Sequence, residues 1–208
     1  KVMNRKLLAL TMLLLVFVVN DAMSQTVVVN EVLASNSAVN VDEDGSYEDW
    51  VELYNTGTNP VNLNGYGLTD NSNNLFKWVF PDVTINPGSY LLIYCSDKNK
   101  TNPAEPLYAN FKISADGEVI SLTRPDGTVV DFAPATPMAS NISFGRMPNG
   151  TGSFTLFDTP TPGAENIGSV FSETLQAPIF SQNSGFYTSE FDLTISSSEA
   201  DVTIKIGR

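Results

Sequence analysis

Turns constrain this chain more than any other feature. Past its first 24 residues, short apolar or alternating runs are broken by Asn64-Gly65, Asn86-Pro87-Gly88, Asp116-Gly117, Pro125-Asp126-Gly127 and Pro148-Asn149-Gly150. Each combines residues that accept a positive φ or pre-set a turn. Nine runs between them read as strands: Val27–Leu33, Trp50–Asn55, Tyr66–Thr69, Phe76–Phe80, Tyr90–Cys95, Val119–Thr123, Val129–Phe132, Ile142–Arg146 and Phe154–Phe157. No window in this region carries a helical period. Many strands at short, regular spacing predict an all-β sandwich or barrel, and about 140 residues suffice for one such core.

The densest signal lies from Val41 to Asp70. Asp42, Glu43, Asp44, Glu48 and Asp49 crowd a turn around Gly45, which runs directly into a strand. In that strand Trp50, Glu52 and Tyr54 share one face, and Val51 and Leu53 share the other.

The start of the chain is a targeting segment. Lys1, Arg5 and Lys6 form a basic n-region, Leu7 to Val19 is a short apolar run, and Ala22-Met23-Ser24 offers the small residues that a signal peptidase reads. Met3 is the expected initiator and cleavage is expected after Ser24, so residues 1–24 are removed and no membrane span is retained. No Cys stands at the junction to carry a lipid. The expected product is secreted or held at the cell surface.

Composition excludes several chemistries. Removing Lys1, Arg5, Lys6 and Asp21 from the 11 basic and 23 acidic residues leaves 8 against 22, a net charge near −14. The remaining cations are scattered among acids, so no nucleic-acid partner is expected. The chain has no His, which removes Ser-His-Asp and Cys-His catalysis and His-ligated zinc. Cys95 is alone in the alternating run Leu91-Leu92-Ile93-Tyr94-Cys95 and reads as a small core side chain.

Several motifs spread along the chain carry a family resemblance. Asn30-Glu31-Val32, Asp49-Trp50-Val51-Glu52-Leu53-Tyr54-Asn55, Leu63-Asn64-Gly65-Tyr66, Trp78-Val79-Phe80-Pro81, Pro87-Gly88-Ser89-Tyr90-Leu91, Gly117-Glu118-Val119-Ile120-Ser121-Leu122 and Ser143-Phe144-Gly145-Arg146 look like successive strands and turns. Thr159-Pro160-Thr161-Pro162-Gly163-Ala164-Glu165-Asn166 looks like a closing segment. Together residues 25–166 resemble the bacterial lamin tail domain, which implies an immunoglobulin-like β-sandwich. After a linker at 167–176, residues 177–208 resemble the start of a chitobiase C-terminal-like, fibronectin-like β-module, through Ala177-Pro178-Ile179-Phe180 and Phe191-Asp192-Leu193-Thr194-Ile195. That order is similar to the front of secreted proteins that continue into a CotH-type kinase domain. The resemblance implies a non-catalytic binding or spacer module, monomeric, positioned near a cell surface or an extracellular polymer.

Three sets of residues are site candidates. Asp42, Asp44, Glu48 and Asp49 concentrate carboxylates as oxygen-ligated Ca²⁺ sites do, although without the spacing of an EF-hand; the alternative is a solvated turn whose Asp side chains cap backbone N–H groups. Trp50, Tyr54, Tyr66 and Trp78 could stack sugars, or could fill the core. Glu31 and Glu52 stand in otherwise apolar strands and need a partner, for which Arg146 or Lys77 is expected in a structural ion pair. The same two carboxylates could instead act as a hydrolase pair, which requires an open cleft.

Overall fold

The computed structural model describes residues 26–168 and 177–198. The expected leader (1–24), residues 169–176 of the linker and the last ten residues lie outside the described residues. The chain divides into two units, Lys1–Val170 and Phe171–Arg208, each considered by itself. Among the described residues no helix is long and apolar enough to cross a membrane.

The first unit is an all-β, immunoglobulin-like sandwich. Its larger sheet has the order β12-β11-β1-β2-β7-β8, built from β1 (Val27–Leu33), β2 (Asp49–Asn55), β7 (Tyr90–Cys95), β8 (Leu107–Ala109), β11 (Ser143–Met147) and β12 (Ser153–Phe157). All neighbours are antiparallel except β7 and β8. The facing sheet has the order β10-β9-β4-β5, from β4 (Gly67–Thr69), β5 (Trp78–Val79), β9 (Ile120–Thr123) and β10 (Val129–Ala133). A small ribbon pairs β3 (Val61–Asn62) with β6 (Thr84–Ile85). The alternation in β2 sorts its side chains as the sequence predicts: Val51 and Leu53 enter the inter-sheet core with Val29, Val32, Ile93, Leu68, Trp78, Ile120 and Leu122. The opposite face of the larger sheet is not left to solvent. Leu33, Trp50, Tyr94 and Tyr108 form a second cluster there.

A β-bulge in β1 sets the geometry of both faces. Val29 pairs with Leu53 and Glu31 with Glu52, so Asn30 is an extra residue in the ladder. The bulge moves Val32 into the core with Val29 and turns Glu31 to the outer face beside Glu52. Next to the bulge, the Asp131 carboxylate of β10 accepts the Val29 N–H at 2.8 Å. Arg146 holds that carboxylate through two bonds of 2.8 and 2.9 Å and donates through Nε to the Val29 carbonyl at 3.0 Å. This clamp joins the two sheets.

The second unit shows a two-stranded antiparallel ribbon, β13 (Ile179–Phe180) with β14 (Ile195–Ser196). Ile179, Phe180, Phe186, Tyr187, Phe191 and Leu193 are exposed around it. A lone two-stranded ribbon is marginal in water. A chain truncated after Gly168 should therefore unfold in one cooperative thermal transition, whereas residues 177–208 alone should give no transition by circular dichroism. A chain truncated after Asp158, which lacks the closing segment, should melt lower than the chain ending at Gly168, by several degrees.

Candidate functional site

The outer face of the larger sheet gathers most of the polar chemistry predicted from sequence, and covers it. Glu31 and Glu52 are direct partners across β1 and β2, which places their side chains side by side on one face. Both are fully buried. The closing segment Thr159–Asn166 lies over them. Pro160 and Pro162 lack N–H groups, and the donors between and after them go to the carboxylates. Thr161 N reaches both Glu31 oxygens at 3.2 Å and its Oγ1 donates at 3.0 Å, while Gly163 N donates to Glu52 Oε2 at 2.6 Å. Ser143 Oγ donates to Glu31 from β11, and Asn30 Nδ2 to Glu52 Oε1 at 2.8 Å.

Three asparagines fix the ends of this strap. Asn166 Nδ2 donates to the carbonyls of Asn30 and Arg146 at 3.1 and 3.0 Å, and Asn166 N donates to Asn149 Oδ1 at 3.1 Å. Asn149 Nδ2 continues to the Tyr90 hydroxyl at 3.0 Å, and Asn30 Oδ1 accepts from Gly150 N at 2.9 Å. Gly145 faces Glu31 across β11 and β1. A Cβ there would stand 2.7 Å from Asn166 Nδ2, so only Gly admits the strap's last residue.

The expected ion pair of Glu31 and Glu52 with Arg146 is not formed. Directly opposed strand residues share a face and neighbours alternate. Gly145 takes the position beside Glu31, so Arg146 projects to the other side and binds Asp131. Lys77 pairs instead with Asp70 at 2.8 Å. Amide and hydroxyl donors therefore hold both glutamates without a cation. Burial pushes both pKa values up, against the lowering effect of those donors; Glu52 reaches about 8, raised further by the Glu31 charge. The hydrolase arrangement also fails on geometry, since the pair faces the strap and not an open cleft.

The acidic turn does converge, but on lysine. Lys98 Nζ lies 2.5 Å from Asp42, 3.0 Å from Asp44 and 3.3 Å from Glu48, while Lys100 reaches Glu43 at 2.8 Å. Asp42 Oδ1 accepts the N–H groups of Asp44 and Ser46 at 2.9 Å each, the capping geometry of an Asx turn. Asp49 stands apart, accepting Asn36 N at 3.4 Å. Among the described residues no group of three or more acidic or Cys side chains is arranged to hold a metal ion. The ammonium of Lys98 thus sits at the centre of the calcium candidate, and Asp42 caps the turn as the alternative reading has it. Burial opposes ionisation of Asp42, yet Lys98, the Ser46 and Asp44 amides and Tyr108 hold its carboxyl down at about 2. Hydrogen bonds from Lys100 and the Tyr108 hydroxyl lower Glu43 likewise to about 2.

None of the four candidate sugar-stacking rings is fully exposed. Trp50 and Trp78 are buried in the two clusters, and their indole N–H groups have no partner among the described residues. Tyr54 is half-buried and stacks on Tyr90 at 4.6 Å, and a Cβ on Gly150 would lie 2.6 Å from its ring. Tyr66 packs against the core. Cys95 is buried, and desolvation raises its thiol pKa well above the usual value.

The all-β sandwich agrees with what the family comparison finds. A family model for the Lamin Tail Domain matches residues 20–136. The chain belongs to the lamin tail domain family. This is a family of non-catalytic, immunoglobulin-like domains. Comparison with curated proteins gives no match. In this lamin tail domain the sheet continues past the matched residues, because β11 and β12 pair beside β1 and the strap closes over them. Sequence reasoning missed Asn30, Asp131, Asn149, Thr161 and Asn166. One signal was available, since Pro160-Thr161-Pro162-Gly163 spaces its N–H donors two residues apart, like the side chains on a strand face.

Two outcomes follow for this lamin tail domain. Between the ordinary carboxyl value near 4.5 and the folded value near 8, the folded state keeps the Glu52 proton that the unfolded chain releases. Stability should therefore fall as pH rises through that window, by roughly 1 kcal/mol per pH unit. It should also fall below about pH 4 as Asp42 and Glu43 protonate, leaving a maximum between about pH 4 and 5. Urea titrations across pH check this, and Glu52→Gln should flatten the decline above the maximum. Separately, Lys98→Met strands the buried Asp42 charge and should cost about 1–2 kcal/mol. In the unaltered chain, millimolar Ca²⁺ should shift the melting temperature no more than NaCl of equal ionic strength.

Proposed function

We propose that this lamin tail domain is a non-catalytic binding and spacer module at the front of an exported multidomain protein. In this reading it holds a downstream catalytic domain, of the CotH-type kinase class, near a cell surface or extracellular polymer. The observation that most supports it is the anchored exit of the chain. The strap leaves the sheet only after Thr161, Gly163 and Asn166 have bonded to β1, β2 and β11. Chain ends not tied down are the first to fray; a spacer carrying further domains needs its exit tied to central strands, and this one is.

Export rests on the basic and apolar leader, and the acidic surface suits an extracellular setting. The second unit, with its resemblance to a chitobiase C-terminal-like module, would be the next link in such an array. A polymer-binding role would not use Trp50 and Trp78, which are buried. Expressed with its leader in a bacterial host, the protein should be recovered outside the cytoplasm with Gln25 at or near its N-terminus. Mass spectrometry of the exported chain decides this, and retention of Leu7 to Val19 in the cytoplasmic fraction alone would overturn export. Residues 25–168 should co-sediment with insoluble cell-envelope polymer if the module binds it directly, and stay in the supernatant if it is a spacer only.

A further inference from the structure

The strap closes over two carboxyl groups that cannot both be charged at low cost. Glu31 and Glu52 are opposite each other in the ladder and fully buried, and every donor bonded to them is an amide or a hydroxyl. Like charges at directly opposed strand positions repel, and a buried ion without a counter-ion is costly. The other titratable or charged groups packed around the pair do not relieve this. Tyr90, on β7, bonds Asn149, and burial raises its pKa first of all. Tyr54 stacks on Tyr90, Glu165 on the strap is exposed and adds negative charge, and the Arg146 guanidinium is committed to Asp131. The covering element is slight: Gly163, Ala164 and Glu165 are exposed, and Thr161 and Gly163 contribute the amides that touch the carboxyls.

We propose that Thr159–Asn166 is a proton-gated strap, seated while the Glu31–Glu52 pair holds at least one proton and released when both groups are charged. Lifting the strap readmits water to the pair, which removes the desolvation cost without separating β1 from β2. The core on the opposite face, with Val51, Leu53 and Ile93, is untouched by that opening. Release frees the eight residues Thr159–Asn166 at the exit of the unit, so the gate sets the length of the tether to whatever follows. This consequence rests on the spacer reading; the opening itself does not.

The test is hydrogen exchange on the full chain, read by mass spectrometry and normalised to unstructured-peptide rates between pH 6.5 and 9. Protection of the strap amides Thr161 and Gly163 should fall about tenfold or more relative to the Val51 and Leu53 amides. Glu52→Gln leaves one ionisable group and should keep the strap protected across the range; Glu31→Gln asks the same question if the first variant does not fold. Strap protection that tracks Val51 and Leu53 in the unaltered chain overturns the proposal, as does an unchanged relative loss in a folded variant. If neither variant folds, the profile of the unaltered chain decides. Failure of export or polymer binding would leave these amide profiles as they are, so the two readings fail separately.

Discussion

One extra residue in β1 organises this domain. Without the bulge at Asn30, strict alternation would continue the Val27 and Val29 face through Glu31 and drive a carboxylate between the sheets. With it, Val32 and Ala34 take the core positions and Glu31 turns outward. A bulge also frees ladder groups, which must find partners when buried. Here the Asn30 carbonyl accepts from Asn166, and the neighbouring Val29 N–H goes to Asp131. The inter-sheet clamp and the strap thus both dock beside the insertion.

Clamp and strap are coupled through the backbone of β11. Arg146 sends its guanidinium to Asp131, Val29 and Gly152, and its carbonyl accepts from Asn166 on the outer side. Gly145, one residue earlier, gives the strap its space, and Ser143 donates to Glu31. Ser143 and Gly145 serve the strap and Arg146 serves the clamp because the pleat puts them on opposite faces of one strand. This explains why residues 137–168, beyond the residues matched by the family model, belong to the fold: β11 and the strap complete bonds that β1 leaves open.

The sequence was legible where alternation and turn chemistry agreed. β1 and β7 run over the predicted residues, and the side chains of β2 divide between faces as predicted. β3, β6 and β8 escaped notice because two or three residues cannot display a period of two. The fate of the outer face was not legible either. Alternation says that Trp50 and Glu52 point away from the inter-sheet core, but not whether loops return to cover them. The segment from Asn36 to Glu48 covers Trp50, Tyr94 and Tyr108, with Asn40 donating to the Tyr94 hydroxyl, and the strap covers Glu31 and Glu52. Arg146 was assigned the wrong partner for a related reason. Its face depends on the register of β11 against β1, and a one-residue slip would have reversed it.

The two polar clusters of the outer face solve opposite electrostatic problems. Around Lys98 four acids and two lysines sit at the rim, near the Tyr108 ring, where part of their charge remains hydrated; lysine supplies a fixed cation and no exchangeable metal is needed. Among the described residues no cation bonds Glu31 or Glu52; amide and hydroxyl donors hold them, and burial favours the neutral form. The first cluster loses stability when acid removes its anions, and the second when base creates them. The carboxylates that most resemble a site in the sequence therefore act on the scaffold itself: one group pins the Asn36–Glu48 loop and the other seats the strap. Both clusters thus serve the stability of the sandwich, in keeping with a family of non-catalytic domains.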